Sequence, residues 1–256
     1  MNVLNRFKLD GKSSLVTGAG QGIGRSYAIA LAEAGSDVAI VDIDPDKAKS
    51  TSNEISDMGR RSISVEADVT NPKDTERMVE IVVSEWGKLD IGVNNVGGSV
   101  PVKAVDYTEE SWDMAMNLTL KSIMMSAQSE AKAMLPVKYG NIVNTASMSG
   151  LIVNKGRPTS GYNTAKAGVI HLTRCLAAEW ASEGIRVNSI SPGYMNTPSI
   201  QLPHLKKFHK VWAEETPMGR LGEVEDLQGA LLYLVSDASS FLTGQNMVID
   251  GGYTIW

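Results

Sequence analysis

Seven short apolar runs, at 13–17, 37–41, 62–67, 89–94, 141–146, 185–190 and 246–249, recur along the chain with helix-length stretches between them. That alternation constrains the fold more than any other feature. Strands joined through helices run parallel, and a parallel sheet buries both faces beneath those helices. The stretches 23–34, 45–58, 72–86, 109–135, 161–183 and 223–236 read as the helices. Two of them open on proline, which suits a first turn whose N–H groups have no intrahelical partner. Gly35 follows the first helix, where a left-handed C′ position favours glycine. No long linker or low-complexity tract breaks the pattern. The expectation is one α/β domain over residues 1–256, a doubly wound parallel sheet with helices on both faces.

Composition narrows the function. A chain of 256 residues with 43% hydrophobic content can bury a large core. Its net charge of −5 offers no basic surface to nucleic acid or anionic lipid. No apolar run approaches the roughly 20 residues that span a bilayer. Residues 1–8 lack the apolar core of a secretory signal, so a cytoplasmic protein is expected. The single cysteine, Cys175, has no internal disulfide partner, which fits a reducing compartment, and its apolar spacing predicts a core thiol. One cysteine and three scattered histidines (His171, His204, His209) argue against a zinc site, and no metal is expected in the chemistry.

In a doubly wound sheet, ligands bind beyond the carboxyl ends of the strands, so the residues that follow each strand carry the information. After the first comes Thr17-Gly18-Ala19-Gly20-Gln21-Gly22-Ile23-Gly24, running directly into a helix. Glycines let the backbone approach a pyrophosphate, and the helix start offers free N–H groups and a positive dipole end. Ile23 occupies the place of the third glycine of G-x-G-x-x-G, so the matching glycines are Gly18, Gly22 and Gly24, as T-G-x-x-x-G-x-G. Asp42 ends the second strand, where an acid accepts hydrogen bonds from both adenosine ribose hydroxyls and repels a 2′-phosphate. Asp44 adds negative charge, and neither Gln21 nor a sequence neighbour of Asp42 offers a phosphate an Arg or Lys. NAD is therefore expected over NADP. Asp68-Val69 and Asn94-Asn95-Val96-Gly97-Gly98 put more polar groups at the same sheet edge.

Tyr162 and Lys166 stand four apart at the start of a long helix-like run, so both leave one face. An ammonium beside a phenol favours the phenolate. Free tyrosine titrates near 10, and reaching neutral pH takes roughly 4 kcal/mol, which a close lysine and a second positive charge could supply.

Taken together, these motifs resemble the short-chain dehydrogenase/reductase family over essentially the whole chain. The resemblance rests on Thr17–Gly24, Asp42, Asp68-Val69, Asn94-Asn95-Val96-Gly97 (where the family has N-N-A-G), Asn117, Ser147, Tyr162-x-x-x-Lys166 and Pro192-Gly193. It implies a Rossmann-type sheet and a catalytic tetrad of Asn117, Ser147, Tyr162 and Lys166. The family's serine-to-tyrosine spacing would select Ser149. Its serine-x-x-glycine pattern selects Ser147, with Ser149 then reaching the substrate pocket and two additional residues falling in the loop 154–161. Cofactor contacts are implied for Gly18, Gln21, Gly22, Ile23, Gly24, Asp42, Ile43, Asp68, Val69, Asn95, Val96, Gly97, Tyr162, Lys166, Pro192, Gly193, Met195 and Thr197. Val96 and Met195 depart from the usual alanine and Ile/Val; a small packing adjustment is expected at Val96, and at Met195 a backbone contact to the carboxamide with the side chain shaping the substrate pocket.

Within the family, residues 147–154 and 251–256 are similar to those of sugar-alcohol dehydrogenases. The implied reaction is NAD-dependent oxidation of a secondary alcohol, a polyol to a ketose. Tyr162 acts as the base, Lys166 holds its pKa down, Ser147 steadies the reacting oxygen and Asn117 holds a relay water. Substrate contacts are expected from Ser147, Ser149, Asn154, Tyr162 and Tyr194. A lid region at 194–215 carries Leu202, Leu205, Phe208 and Trp212 at a spacing that also suits an ordinary surface helix. Alternatives are a carbonyl reductase of the same family, acting on a 3-oxoacyl thioester, a sugar acid or a cyclic ketone, or a non-catalytic dinucleotide-binding protein. The resemblance also implies a homotetramer pairing helices 109–135 and 161–183 across a dyad. The C-terminal residues Tyr253-Thr254-Ile255-Trp256 would add an interface, and the terminal carboxylate a possible Mg²⁺.

Overall fold

The computed structural model describes residues 2–98 and 100–255. Among the described residues the elements run β1 (Ser13–Thr17), α1 (Gly22–Glu33), β2 (Asp37–Asp42), α2 (Pro45–Asp57), β3 (Ser62–Glu66), α3 (Pro72–Trp86), β4 (Ile91–Asn94), α4 (Glu109–Met116) and α5 (Ser122–Met134). They continue as β5 (Gly140–Thr145), α6 (Ser160–Trp180), β6 (Ile185–Pro192), α7 (Pro203–Lys206), α8 (His209–Glu215), α9 (Gln228–Val235) and β7 (Asn246–Ile249). The strands form one seven-stranded sheet in the order β3-β2-β1-β4-β5-β6-β7, parallel throughout. The chain winds outward from β1 to β3, then crosses back to place β4 on the other side of β1. A crevice therefore opens where the carboxyl ends of β1 and β4 diverge.

Strand side chains alternate between two cores. Val16, Ile40, Val93, Val143 and Ile190 pack under α1 and α9 with Tyr27, Leu31, Leu231 and Leu234. Leu15, Val41, Ile142, Ile185 and Val187 pack on the other face with Met78, Val82, Ala131, Met134 and Leu176. This is the two-sided burial that continuous apolar strands require. Asp44 and Asn71 cap α2 and α3 by accepting the backbone N–H groups of Lys47 and Lys73, each just ahead of the proline at the first turn.

The predicted elements are present, with three physical differences. β6 runs on to Pro192 because it pairs with β7 to its end, Pro192 opposite Ile249, where a missing N–H is tolerated. The last predicted helix opens with a 3₁₀ turn at Val224–Leu227. The stretch predicted as one helix over 109–135 is interrupted by a π-helical turn at Asn117–Lys121, closed by a bond from Ser122 N–H to the Asn117 carbonyl. That turn adds one residue per turn and shifts which side chains face inward.

Cys175 is exposed, which corrects its reading as a core thiol. The inward face of α6 is carried by Val169, Ile170, Thr173, Leu176 and Ala177, leaving Cys175 on the outer side. No helix among the described residues is long and apolar enough to cross a membrane. Trp256 and its carboxylate, to which the possible Mg²⁺ was attached, lie outside the described residues.

Candidate active site

The glycine loop is built for close approach. Gly18 and Gly22 sit at φ +61° and +57°, the left-handed region that favours glycine. A Cβ on Gly24 would lie 2.2 Å from the Gly18 carbonyl oxygen, so the first turn of α1 can close onto the loop only without a side chain. Gln21, at the N-cap of α1, makes no side-chain cap, which leaves first-turn N–H groups for an anion. Thr197 and Pro198, after β6, face Gly22 across the cleft, with their side-chain atoms 3.7–3.9 Å from the position of a Cβ there. Gly20 carries a constraint that the sequence pattern passed over. Its N–H donates to Asp42 Oδ2 at 2.9 Å, and a Cβ there would come within 2.6 Å of Lys47 Cβ.

Asp42 is held from two sides, Oδ2 by Gly20 and Oδ1 by the Asp44 N–H at 3.1 Å. Lys47 reaches this corner from α2 and pairs with Asp44 at 2.8 Å. The expectation that no lysine stands near Asp42 is corrected: the first turn of the next helix brings one back in space. Ile43, Asp68 and Val69 complete the wall, and Asp68 Oδ1 accepts from both the N–H and the hydroxyl of Thr70. Asn95 ties β4 to the glycine loop, its N–H donating to Thr17 Oγ1 at 3.0 Å and its Nδ2 to the Gly18 carbonyl at 3.3 Å. Val96 sits against Gly18, where a Cβ would lie 3.0 Å from Val96 Cγ2. This contact fits the small packing adjustment expected there.

Gly18, Gln21, Gly22, Ile23, Asp42, Ile43, Asp68, Val69, Asn95, Val96 and Gly97, with Ser147, Ser149, Asn154, Tyr162, Lys166, Pro192, Gly193, Tyr194, Met195 and Thr197, line one cleft of about 810 Å³, while Gly24 stands behind its wall. That volume lies within the range of ligand-binding clefts, about 300–1,000 Å³. The donor set suits a dinucleotide: helix-start N–H groups and left-handed glycines for phosphates, and a fixed carboxylate for a ribose.

At the inner end, Ser147 follows β5 and starts a tight turn, its Oγ accepting the Ser149 N–H at 3.1 Å. Gly150 closes that turn against α6, and a Cβ on it would lie 2.7 Å from the Lys166 carbonyl carbon. Ser-x-x-Gly is therefore a packing requirement as well as a motif. Lys166 is buried and donates to the Thr145 carbonyl at 2.5 Å, with its Nζ 5.8 Å from the Tyr162 ring centre. Gly97 leaves room for that ammonium, since a Cβ would stand 2.9 Å from Nζ. Burial pulls Lys166 down to about 7. Burial also pushes the Tyr162 phenol above its ordinary range, while Ser147 and the Arg157 guanidinium act in the opposite sense. In the protein alone, both groups are thus driven toward their neutral forms.

Asn117 opens the π-helical turn, its backbone carbonyl accepting the Ser122 N–H. Its side chain is exposed and does not line the cleft. The π-helical turn brings Thr119 inward instead. Fully buried, Thr119 clamps Gly98 through its hydroxyl, accepting the N–H at 3.1 Å and donating to the carbonyl at 2.9 Å. It also packs beside Gly97, next to the Lys166 ammonium.

The outer wall is aromatic and polar. Tyr194 stacks on Trp212 with centroids 4.2 Å apart and meets Tyr253 edge-on at 5.3 Å. Asn154 Nδ2 donates to the Tyr194 hydroxyl at 3.1 Å, and its Oδ1 accepts from Asn163 at 3.3 Å. Burial raises the Tyr194 phenol, so it stays a neutral donor and acceptor. Leu202 and Leu205 line the cleft from the segment after β6, while Trp212 is buried beneath Tyr194. Arg157, from the loop before α6, lines the same wall. It was absent from the sequence-based candidates because loop length alone does not say which way a loop turns.

A family model described as "Enoyl-(Acyl carrier protein) reductase" matches residues 18–254. The galactitol 2-dehydrogenase of Rhizobium johnstonii is 36% identical over 261 aligned residues, covering 100% of both chains. The 2-dehydro-3-deoxy-D-gluconate 5-dehydrogenase of Dickeya dadantii is 39% identical, covering 98% of each. Among solved structures, a short-chain type dehydrogenase/reductase from Mycobacterium marinum superposes with a TM-score of 0.96 at 40% identity, covering 99% of both chains. Matched end to end in sequence and in fold, the chain belongs to the short-chain dehydrogenase/reductase family, oxidoreductases that use a nicotinamide cofactor.

Proposed function

We propose that the chain oxidises a secondary alcohol on a polyhydroxylated carbon chain with NAD, a sugar alcohol to its ketose, as a cytoplasmic homotetramer. The observation that carries this reading is the meeting of Ser147, Tyr162 and Lys166 at the inner end of one cleft, beside the glycine loop. When bound there, the oxidised nicotinamide accepts hydride from the carbinol carbon and adds a positive charge beside the phenol. Tyr162 takes the carbinol proton, and Lys166 stabilises its phenolate. The Ser147 hydroxyl donates to the reacting oxygen and steadies charge as it develops. The Gly97–Gly98 turn, clamped by Thr119, keeps space for the ammonium.

Gly18, Gln21, Gly22, Ile23, Gly24 and Thr197 would hold the pyrophosphate, with Asp68, Val69 and Ile43 beside the adenine. Asn95, Val96 and Gly97 would flank the adenosine ribose, and Pro192, Gly193 and Met195 the nicotinamide ring. NAD is favoured because Asp42 accepts ribose hydroxyls and repels a 2′-phosphate, while Asp44 occupies the Lys47 ammonium. Ser149, Asn154 and Tyr194 supply polar groups for further hydroxyls, which a steroid or acyl chain would leave unmatched. Leu202 and Leu205 act as a lid over the same space. The name of the Rhizobium relative supports the sugar-alcohol assignment.

A panel of C4 to C6 polyols and ketoses, assayed with NAD and NADP, tests the reading. At least one polyol should reduce NAD, with NADP about tenfold or more poorer. Tyr162→Phe should cost about a hundredfold or more in kcat while NAD binding, followed by fluorescence, is retained. Silence across the panel, or a Tyr162→Phe variant within tenfold of the parent, would remove the assignment.

A further inference from the structure

The substrate end of the cleft carries basic side chains and no carboxylate. Asp42 and Asp68, the acids that line the cleft, both stand at its far end, after β2 and β3. Around Tyr162 the charged or ionisable cleft residues are Lys166, Arg157 and His204. Lys166 is committed to Thr145 and the phenol. Arg157 has no carboxylate partner among the described residues, and its guanidinium lies over the Trp212 ring at 5.7 Å. Glu215, the acid behind this wall, is occupied by the Tyr253 hydroxyl at 2.7 Å and by Lys155 at 3.7 Å.

A half-buried guanidinium with no counter-ion loses hydration without recovering it, a cost that a ligand anion removes. The planar fork of arginine matches a carboxylate through two parallel hydrogen bonds. Arg157 lines the same cleft as Tyr162 and lies over the Trp212 ring on which Tyr194 stacks, so an anion held there shares the space in which the carbinol reacts. The aromatic face beneath holds the guanidinium in place without neutralising it.

We propose that Arg157 receives a carboxylate of the substrate, so that the polyhydroxylated substrate is a sugar acid with its reacting secondary hydroxyl on Tyr162. This rests on the alcohol-oxidising reading above, keeps its secondary carbinol and hydride transfer, and replaces one terminal CH2OH of the sugar alcohol by a carboxylate. The carbinol gives its O–H proton to Tyr162 and its C–H hydride to the oxidised cofactor, leaving a ketone. The carboxylate passes through unchanged and serves only to orient the chain. Ser149, Asn154 and Tyr194 then meet hydroxyls between the two ends.

The test compares gluconate, galactonate and mannonate, each against its own alditol, with saturating NAD in the wild type, Arg157→Gln and Arg157→Lys. The best aldonate should exceed its alditol about tenfold or more in kcat/KM, as expected for a charged hydrogen-bonded pair. In Arg157→Gln that preference should fall to near one, through KM rather than kcat, and Arg157→Lys should recover part of it. Alditols oxidised as well as aldonates, with the ratio unmoved in Arg157→Gln, would overturn the carboxylate assignment and leave alcohol oxidation standing. Failure of both substrate classes in a wild type that binds NAD would instead sink the alcohol-oxidising reading. Should Arg157→Gln lose NAD binding through misfolding, the wild-type ratio decides alone.

Discussion

In the proposed NAD reading, Asp42 selects the cofactor through a carboxylate held on both of its oxygens. Gly20 and Asp44 each occupy one lone pair on a different oxygen, which leaves one on each for a ribose hydroxyl. Asp42→Ala removes the acceptors and the negative charge together, while Lys47 remains at the corner. The variant should weaken NAD and relax the preference over NADP about tenfold, roughly 1.4 kcal/mol, read as the ratio of kcat/KM with the two cofactors. An unchanged ratio would take Asp42 out of cofactor choice. The same residues mark what a sequence discloses. Asp42, Ser147 and Tyr162 were legible because each directly follows a strand or opens a helix, where direction is fixed by the sheet. Lys47 was not, because it returns to Asp42 only through the turn of α2. Arg157 was not, because its orientation is set by a loop and by the Trp212 ring beneath it.

At the scale of elements, Asn117 and Thr119 show how the phase of a helix decides which side chain faces inward. Two positions in a regular α-helix point about 160° apart to within a turn's scatter, so choosing between them means knowing the phase. The π-helical turn changes that phase inside the span where the choice falls. Beyond it, α5 delivers Glu130 to the centre of the sheet, where Gly92 makes room: a Cβ there would lie 2.3 Å from the carboxyl carbon. Asn94 Nδ2 donates to both Glu130 Oε2 and Asn144 Oδ1 at 3.1 Å, and Asn144 continues to Thr173 at 3.0 Å. The network thus links α5, β4, β5 and α6 directly behind the catalytic strand ends. Burial raises the Glu130 carboxyl to about 8, against the hydrogen bond from Asn94. Between about pH 4.5 and 8 the folded chain holds a proton that the unfolded chain has released. Stability contributed by this group therefore falls as pH rises through that window. Glu130→Gln keeps the shape and has no proton to lose. Relative to wild type it should gain on the order of a few kcal/mol between pH 5 and pH 8, measured by urea unfolding at both. Any fixed offset from the extra amide donors cancels in that comparison. Equal differences at the two pH values would mean that Glu130 titrates normally in the fold.

For the whole molecule, the alternation of apolar runs was enough to read the architecture because every strand repeats the same demand, cover on two faces. Assembly makes no such repeated demand: its expected dyad involves only the two stretches 109–135 and 161–183, of which α6 carries the sharper prediction. Along α6, Ala167, His171, Arg174, Cys175 and Ala178 are all exposed in the single chain. They form a stripe opposite the buried face of Val169, Thr173 and Leu176. Small residues such as Ala167 and Ala178 let two helices approach closely, and across a two-fold axis each meets the same stripe on its mate. The expected dyad through α6 therefore makes a sharp claim about Ala178. In a tetramer built on that axis, Ala178→Arg would bury a bulky cation near its own symmetry copy, combining overpacking with like-charge repulsion and desolvation. Sedimentation should give the wild type a mass near four times the 27.5 kDa of one chain, and the variant half of that or less. The Tyr162 cluster faces the other side of the helix, so NAD binding measured on the variant reports whether each chain is still folded. A wild type that sediments as a monomer at micromolar concentration, or a variant that stays tetrameric, would remove α6 from the interface.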